Sequence, residues 1–261
     1  MTGNDAVRVE DIGAVRVLRL SQPETRNALA AEIKAGLEIE IPRFFDDAGA
    51  RCLVITGVGA AFCAGGDIRG FVEPMTPTQS RKRMARSYGW IERLLEGEKP
   101  VITAVNGPAV GAGFGLALLG DIILAADTAW FMSAFSTIGL ASDYGLGRTL
   151  PRAVGAPRAK DILMSGRKVE AGEALAMGMV SRLAPPERLM DDALALAAQL
   201  AAGPTVALGL TKRLIGLGFE GSVTAYLQQE GLAQSIAFAT ADHREGVNAY
   251  LEKRKPEFGG G

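Results

Sequence analysis

Histidine occurs once in the 261 residues, at His243, and cysteine twice, at Cys52 and Cys63. So sparse a supply gives no C-x-x-C pair and no metal-ligand spacing, which removes zinc sites, thioredoxin-like redox chemistry and a disulfide framework. Both cysteines read as packing residues and suit a reducing compartment. An excess of charge is missing too, since 28 Lys and Arg stand against 29 Asp and Glu. Without a net field, nothing draws the whole chain to nucleic acid or to an anionic membrane, and an anionic ligand must be held by local charges. The opening residues, MTGNDAVRVE, put acids and an arginine where an export signal needs a basic start and an apolar run, so the cytoplasm is the expected location. The long uncharged run over 101–120 is broken by Asn106, Pro108 and five glycines. That composition predicts a buried strand, a tight turn and a short helix in place of a membrane span.

What the chain does have is 48% apolar content, enough at this length for one sizeable core, with or without an appended helical piece. Val15, Val17 and Leu20 predict an early strand, the loop SQPETRN follows, and a helix opens with Asn27 as its N-cap and ends near Asp46. CLVITG at 52–57 reads as a strand buried on both faces, closed by the glycine-rich AFCAGGD. Thr76, Pro77 and Gln79 spell a capping box at the head of a helix running to about Glu96. VITAVNG then leads into a second glycine-rich turn, PAVGAGFG, a short helix and a third buried strand, DIILAAD. Strand, glycine turn and helix thus occur twice, which predicts an α/β fold with its active loops at one end of the sheet. From about Pro186 the pattern is helical, and the expected division is a core over 1–195 and a helical C-terminal section over 196–261.

The two glycine turns carry the chemistry. Each follows a buried strand, and small residues there let a ligand approach main-chain N–H groups, which can converge on a developing oxyanion. Either turn alone is more simply explained as a tight connection. Together, AFCAGGDI, KPVITAVNGPAVGAGFGLALLGDIILAAD, GRKVEAGEALAMGMVSRL and DHREGVNAYLEKRKPEF resemble the crotonase, or enoyl-CoA hydratase/isomerase, superfamily, in order from about Val7 to Phe258. The resemblance implies a spiral of ββα repeats with a C-terminal helical region that assembles into trimers or hexamers. It implies an acyl-CoA substrate, no cofactor beyond coenzyme A as the acyl carrier, and no metal. The N–H groups of Ala64 and Ala112 fall on its oxyanion positions. Arg26 and Ala28 match the segment that holds adenine and phosphates; Gly65, Gly66, Asp67 and Ile68 continue that lining, and Tyr250 and Lys253 fall where a C-terminal helix closes over the nucleotide.

The departures matter as much. Hydratases of the superfamily activate water with two glutamates, and the matching positions here are Gly115 and Phe135, neither of which transfers a proton. Asp143 remains, in a segment resembling members that isomerise unsaturated or epoxidised acyl-CoAs. One carboxylate serves as a shuttle, taking an α-proton and returning it to the γ-carbon, and a surrounding of Phe135, Tyr144 and Leu146 would raise its pKa by desolvation. The competing reading is that Asp143 caps the helix over 146–150. A nucleophilic Asp143, as in aryl-CoA dehalogenases or hydrolases, needs a base such as histidine, and His243 is far away in sequence. A hydratase with other acid and base groups, and a non-catalytic acyl-CoA or RNA binder, complete the alternatives. Asp67 reads as holding its own loop, and Arg81, Lys82, Arg83 and Arg86 as a solvated face. Phe71, Phe135, Tyr144 and Gly115 are the expected acyl-pocket residues, with Trp90 close by.

Overall fold

Alternating burial in β1 (Val7–Ile12) and near-complete burial in β2 (Val15–Leu20) make a hairpin whose outer strand faces solvent on one side. The computed structural model describes residues 5–72 and 74–261, and of Phe71 only the backbone. Register runs from Val7 opposite Leu20 to Ile12 opposite Val15. The α-helix α1 (Ala31–Asp46) then crosses to β3 (Cys52–Gly57), which pairs parallel to β2 with Val17 opposite Val54. Ile33, Leu37, Ile41 and Phe44 recur at helical spacing and form its buried stripe. Its N-cap is Ala30, three residues beyond the expected Asn27. Asn27 is instead wholly buried and left-handed, its side chain accepting the Gln22 N–H and donating to the carbonyls of Val58 and Ala61. Cross-loop bonding outcompeted helix capping, because the buried amide is satisfied by loop carbonyls and an N–H that it reaches only from this position.

α2 (Pro77–Glu96) opens with the expected capping box, Thr76 and Gln79 bonding each other's main chain. β4 (Val101–Val105) extends the parallel sheet, and after a short turn β5 (Ala109–Val110) enters a second sheet. α3 (Ala112–Ala117) follows at once, then β6 (Ile122–Ala126) beside β4, and β7 (Trp130–Met132) beside β5. Twice, therefore, the chain lays one strand in each sheet within about ten residues and returns through a helix, which is the ββα spiral. α4 (Leu146–Val154) and α5 (Ala156–Ser165) precede β8 (Lys168–Glu170), antiparallel to β7, and α6 (Ala171–Ala176) leads to β9 (Arg182–Ala184) at the edge of the large sheet. The large sheet runs β1-β2-β3-β4-β6-β9 and the small one β5-β7-β8.

α7 (Leu189–Ala201) packs across β3, β4 and β6, so residue 195 falls within a helix that belongs to the sheet. α8 (Thr205–Leu217), α9 (Val223–Ala239) and α10 (Ala241–Glu252) finish the chain. An ion pair ties α8 down: Lys212 Nζ lies 3.0 Å from Asp121 Oδ2 and donates to the Leu94 carbonyl at 2.6 Å. Among the described residues no single helix is long and apolar enough to cross a membrane, and residues 101–120 are β4, β5 and α3.

Candidate functional site

The first glycine turn is stitched to the second by main-chain bonds. Phe62 and Cys63 N–H donate to the Pro108 carbonyl, and Val110 N–H donates to the Cys63 carbonyl at 2.9 Å. Gly65 has φ +87°, and a Cβ built on it would stand 2.4 Å from Val110 O and 3.4 Å from Ala112 N. Only glycine permits that approach. A Gly65→Ala protein is expected to lose about 2–4 kcal/mol, from left-handed strain plus a methyl driven into a carbonyl, and to lose turnover about a hundredfold as the turns part. Urea denaturation and a rate assay measure the two effects separately.

Ala64 needs correcting. Its N–H donates to the Arg26 carbonyl at 2.9 Å and is not free to meet a ligand. Arg26 and Asn27 both sit in the left-handed region, φ 54° and 56°, which turns that carbonyl toward Ala64. The next segment is held on the same side, with Leu29 N–H on the Gly65 carbonyl at 2.7 Å and Leu29 bridged to Gly66. In a parallel bridge of this kind the residue opposite the bonded one turns its own N–H to the other edge. Gly66 is that residue, and no main-chain acceptor holds its N–H among the described residues. Ala112 is the first residue of α3, so its N–H is one of the helix's orphan donors. Gly66 and Ala112 are thus free donors on the two apposed turns.

Asp143 stands one helical turn along α3 from Ala112: its carbonyl would lie 3.3 Å from a Cβ on Gly115. The capping alternative does not hold, since α4 is capped by left-handed Gly145 with no side-chain bond, and Asp143 contributes only its carbonyl, to Leu146 N–H at 3.0 Å. One carboxyl oxygen, Oδ1, is buried with no hydrogen-bond partner among the described residues. Burial pushes its pKa up to about 6, opposed by the charges of Lys34 and Arg83. Lys34, on α1, was invisible as a site residue in the sequence. It is half-buried; desolvation and then Arg83 lower its pKa, while Asp143 and Asp67 oppose this. The available signal was its position beside Ile33 and one turn before Leu37, on the flank of the buried stripe.

Phe135 and Tyr144 are both buried. The Phe135 ring faces the second turn, its Cζ 3.9 Å from a Cβ built on Gly111. Tyr144 packs its ring edge-on against Trp90, centroids 5.6 Å apart, and its hydroxyl lies 3.3 Å from Ser87 Oγ. The side chain expected of Phe71 lies outside the described residues. Asp67 holds its own loop, accepting the Arg69 N–H and pairing with the Arg69 guanidinium at 2.9 Å. Ala28 is buried, whereas Arg26, Ile68, Tyr250 and Lys253 are exposed, Arg26 and Ile68 beside the first turn and the other two at the end of α10. His243 packs edge-on against Phe238 and donates its N–H to Thr240, within the α9–α10 junction.

Two sheets traversed by ββα turns, with the glycine turns of successive repeats hydrogen-bonded together, define the crotonase fold. The enoyl-CoA hydratase/isomerase family model matches residues 10–261, and the chain belongs to that family of acyl-CoA enzymes. It is 40% identical over 249 residues to the 1,2-epoxyphenylacetyl-CoA isomerase of Escherichia coli, covering 94% of this chain and 95% of that protein. Among solved structures it resembles an enoyl-CoA hydratase from Polaromonas, with TM-score 0.91 and 33% identity over 97% of this chain and 99% of that one. An enoyl-CoA hydratase/isomerase from Cupriavidus metallidurans gives TM-score 0.92 and 33% identity, covering 100% of this chain and 98% of that one.

Proposed function

We propose that the protein isomerises acyl-CoA thioesters, moving a double bond or opening an epoxide, with Asp143 as the proton carrier. For a 3-enoyl thioester, the Asp143 carboxylate takes an α-proton. The C–H electron pair passes into the carbonyl, giving a dienolate whose oxygen is held by the N–H groups of Gly66 and Ala112. The protonated Asp143 then delivers the same proton to the γ-carbon, the 3,4 double bond becomes 2,3, and the carboxylate is restored. The observation that carries this reading is a desolvated carboxyl with one bare oxygen, on a turn whose main chain packs against α3 at Gly115, with Gly115 and Phe135 offering no second acid. Its pKa near 6 suits a group that must both take and give a proton near neutrality. The Escherichia coli relative, a 1,2-epoxyphenylacetyl-CoA isomerase, supports the same choice.

A nucleophilic Asp143 would need a base, and the one histidine, His243, packs its ring edge-on against Phe238 at the α9–α10 junction. In this reading Arg26, Ala28, Gly65, Asp67, Ile68, Tyr250 and Lys253 line the coenzyme A path, the location is cytoplasmic, and the assembly is a trimer or a dimer of trimers. Support for assembly comes from α9, where Ala233 is the only buried residue while Val223, Leu227, Leu232, Ile236 and Phe238 are exposed. The test is to mix the protein with a 3-enoyl-CoA and follow the absorbance of the conjugated thioester, in ordinary and in 18O-labelled water. Conjugation without 18O in the product is expected; a labelled 3-hydroxyacyl-CoA as the main product would replace this reading with hydration.

A further inference from the structure

The turn that carries Asp143 is built against an empty position on α3. A Cβ on Gly115 would lie 2.6 Å from Tyr144 Cβ, 3.0 Å from Tyr144 O and 3.3 Å from Asp143 O, so the helix approaches the turn as closely as its lack of a side chain permits. Tyr144 is left-handed, φ 51°, a conformation that is a true outlier for a bulky residue and persists only where the surroundings over-determine it. The surroundings do so here. The residue is 5% exposed, its ring wedged edge-on against Trp90 and its hydroxyl on Ser87, both on α2. Gly145 continues in the left-handed region, and Leu146 N–H closes the turn on the Asp143 carbonyl. α2 on one side and α3 on the other therefore clamp a strained backbone whose preceding side chain is Asp143.

We propose that Tyr144 and Gly115 form a matched pair that positions Asp143 and sets the reaction the site can perform. With Tyr144 in place, position 115 cannot bear any side chain, so the site cannot hold a second carboxylate there to activate water. The same wedge also holds the Asp143 carboxyl in its desolvated place. This rests on Asp143 being the proton carrier, and it adds that Tyr144, which need not touch the acyl group, acts through Asp143 as a positioning residue.

The test compares Gly115→Ala, Tyr144→Gly, their combination and Tyr144→Phe by kcat, KM and the acid limb of the pH profile on a 3-enoyl-CoA, with Asp143→Asn alongside. Gly115→Ala should lower kcat about fiftyfold with KM changed less than threefold, because the methyl displaces the turn and not the thioester. Tyr144→Gly should lower kcat about tenfold. The double variant should be no slower than Gly115→Ala alone, since removing the Tyr144 Cβ makes room for the methyl and glycine relieves the left-handed strain. Tyr144→Phe, which keeps the ring volume and loses the bond to Ser87, should lower kcat severalfold and move the acid limb down as water reaches the carboxyl. The other charged groups acting on Asp143, Lys34 of α1 and Arg83 of α2, are unchanged in every variant. Two losses that simply multiply, or Tyr144→Phe with wild-type kcat and acid limb, would overturn the proposal. If Gly115→Ala fails to fold, Tyr144→Phe and Ser87→Ala decide it on the same readout. An Asp143→Asn protein with full activity would instead remove the proton-carrier reading on which it stands.

Discussion

Asp143→Asn should lose isomerase turnover by about a thousandfold and yet unfold at a higher temperature than the parent above pH 7. In the proposed mechanism the loss follows from deleting the proton carrier; positioned acid–base catalysis contributes about 10²- to 10⁴-fold. The stability gain follows from burial. The folded chain holds its Asp143 proton up to about pH 6, whereas the unfolded chain releases it near the ordinary carboxylate value of about 4. Between those limits the native state binds more protons, so stability falls as pH rises through that window and stays lowered above it. Discounted for the carboxyl's partial contact with solvent, the cost of keeping it ionised is about 1–2 kcal/mol, or a few degrees in the melting midpoint. Asparagine does not bear this cost, so the two proteins should melt apart at pH 8 and together below pH 4. By the same titration, kcat/KM of the parent should fall tenfold per pH unit below about 6. Equal melting at pH 8 would mean that Asp143 is not desolvated, and an acid limb near pH 4 would mean the same.

Sequence made the sheets and turns legible because their signals are local. Buried apolar runs at 52–57, 101–105 and 122–126 became β3, β4 and β6, and the capping box at Thr76 became the head of α2. What was not legible depended on partners distant in the chain. Which N–H of AFCAGGD is free follows from the sign of φ at Gly65 and from a carbonyl at Arg26, itself aimed by a left-handed loop that Asn27 locks. The string of residues records none of this, so the bonded N–H of Ala64 was not told apart from the free one of Gly66. Lys34 was hidden for a similar reason. A lysine on an amphipathic helix ordinarily lies along the surface with its head in water, and only the approach of Asp143 and Asp67 from other elements makes its charge part of the site. Tyr144 read as lining; its strain and its fit over Gly115 required the backbone.

Replacing Ala112 by proline should reduce kcat by about 10²- to 10³-fold while leaving the fold in place, the result expected when one of two oxyanion donors is deleted. The substitution suits this position. Ala112 is the first residue of α3, where proline's fixed φ is already helical and its missing N–H removes no helical hydrogen bond. The helix keeps its first internal bond, from Gly115 N–H to the Gly111 carbonyl at 3.1 Å. The preceding residue, Gly111, has the freedom of glycine at φ 54° and ψ −123°, so it can adjust to the new ring. What changes is the space beside Gly65, where the ring Cδ replaces a hydrogen that the dienolate oxygen would accept. Ala112→Gly separates donor from bulk: it keeps the N–H and removes only a methyl, so turnover within about threefold of the parent is expected. Far-UV circular dichroism and the melting midpoint establish folding, and the loss should fall on kcat more than on KM, because the donor acts most strongly on charge that develops during reaction. Should Ala112→Pro retain more than a tenth of the parent's kcat, the α3 N-terminus is not where the negative charge develops.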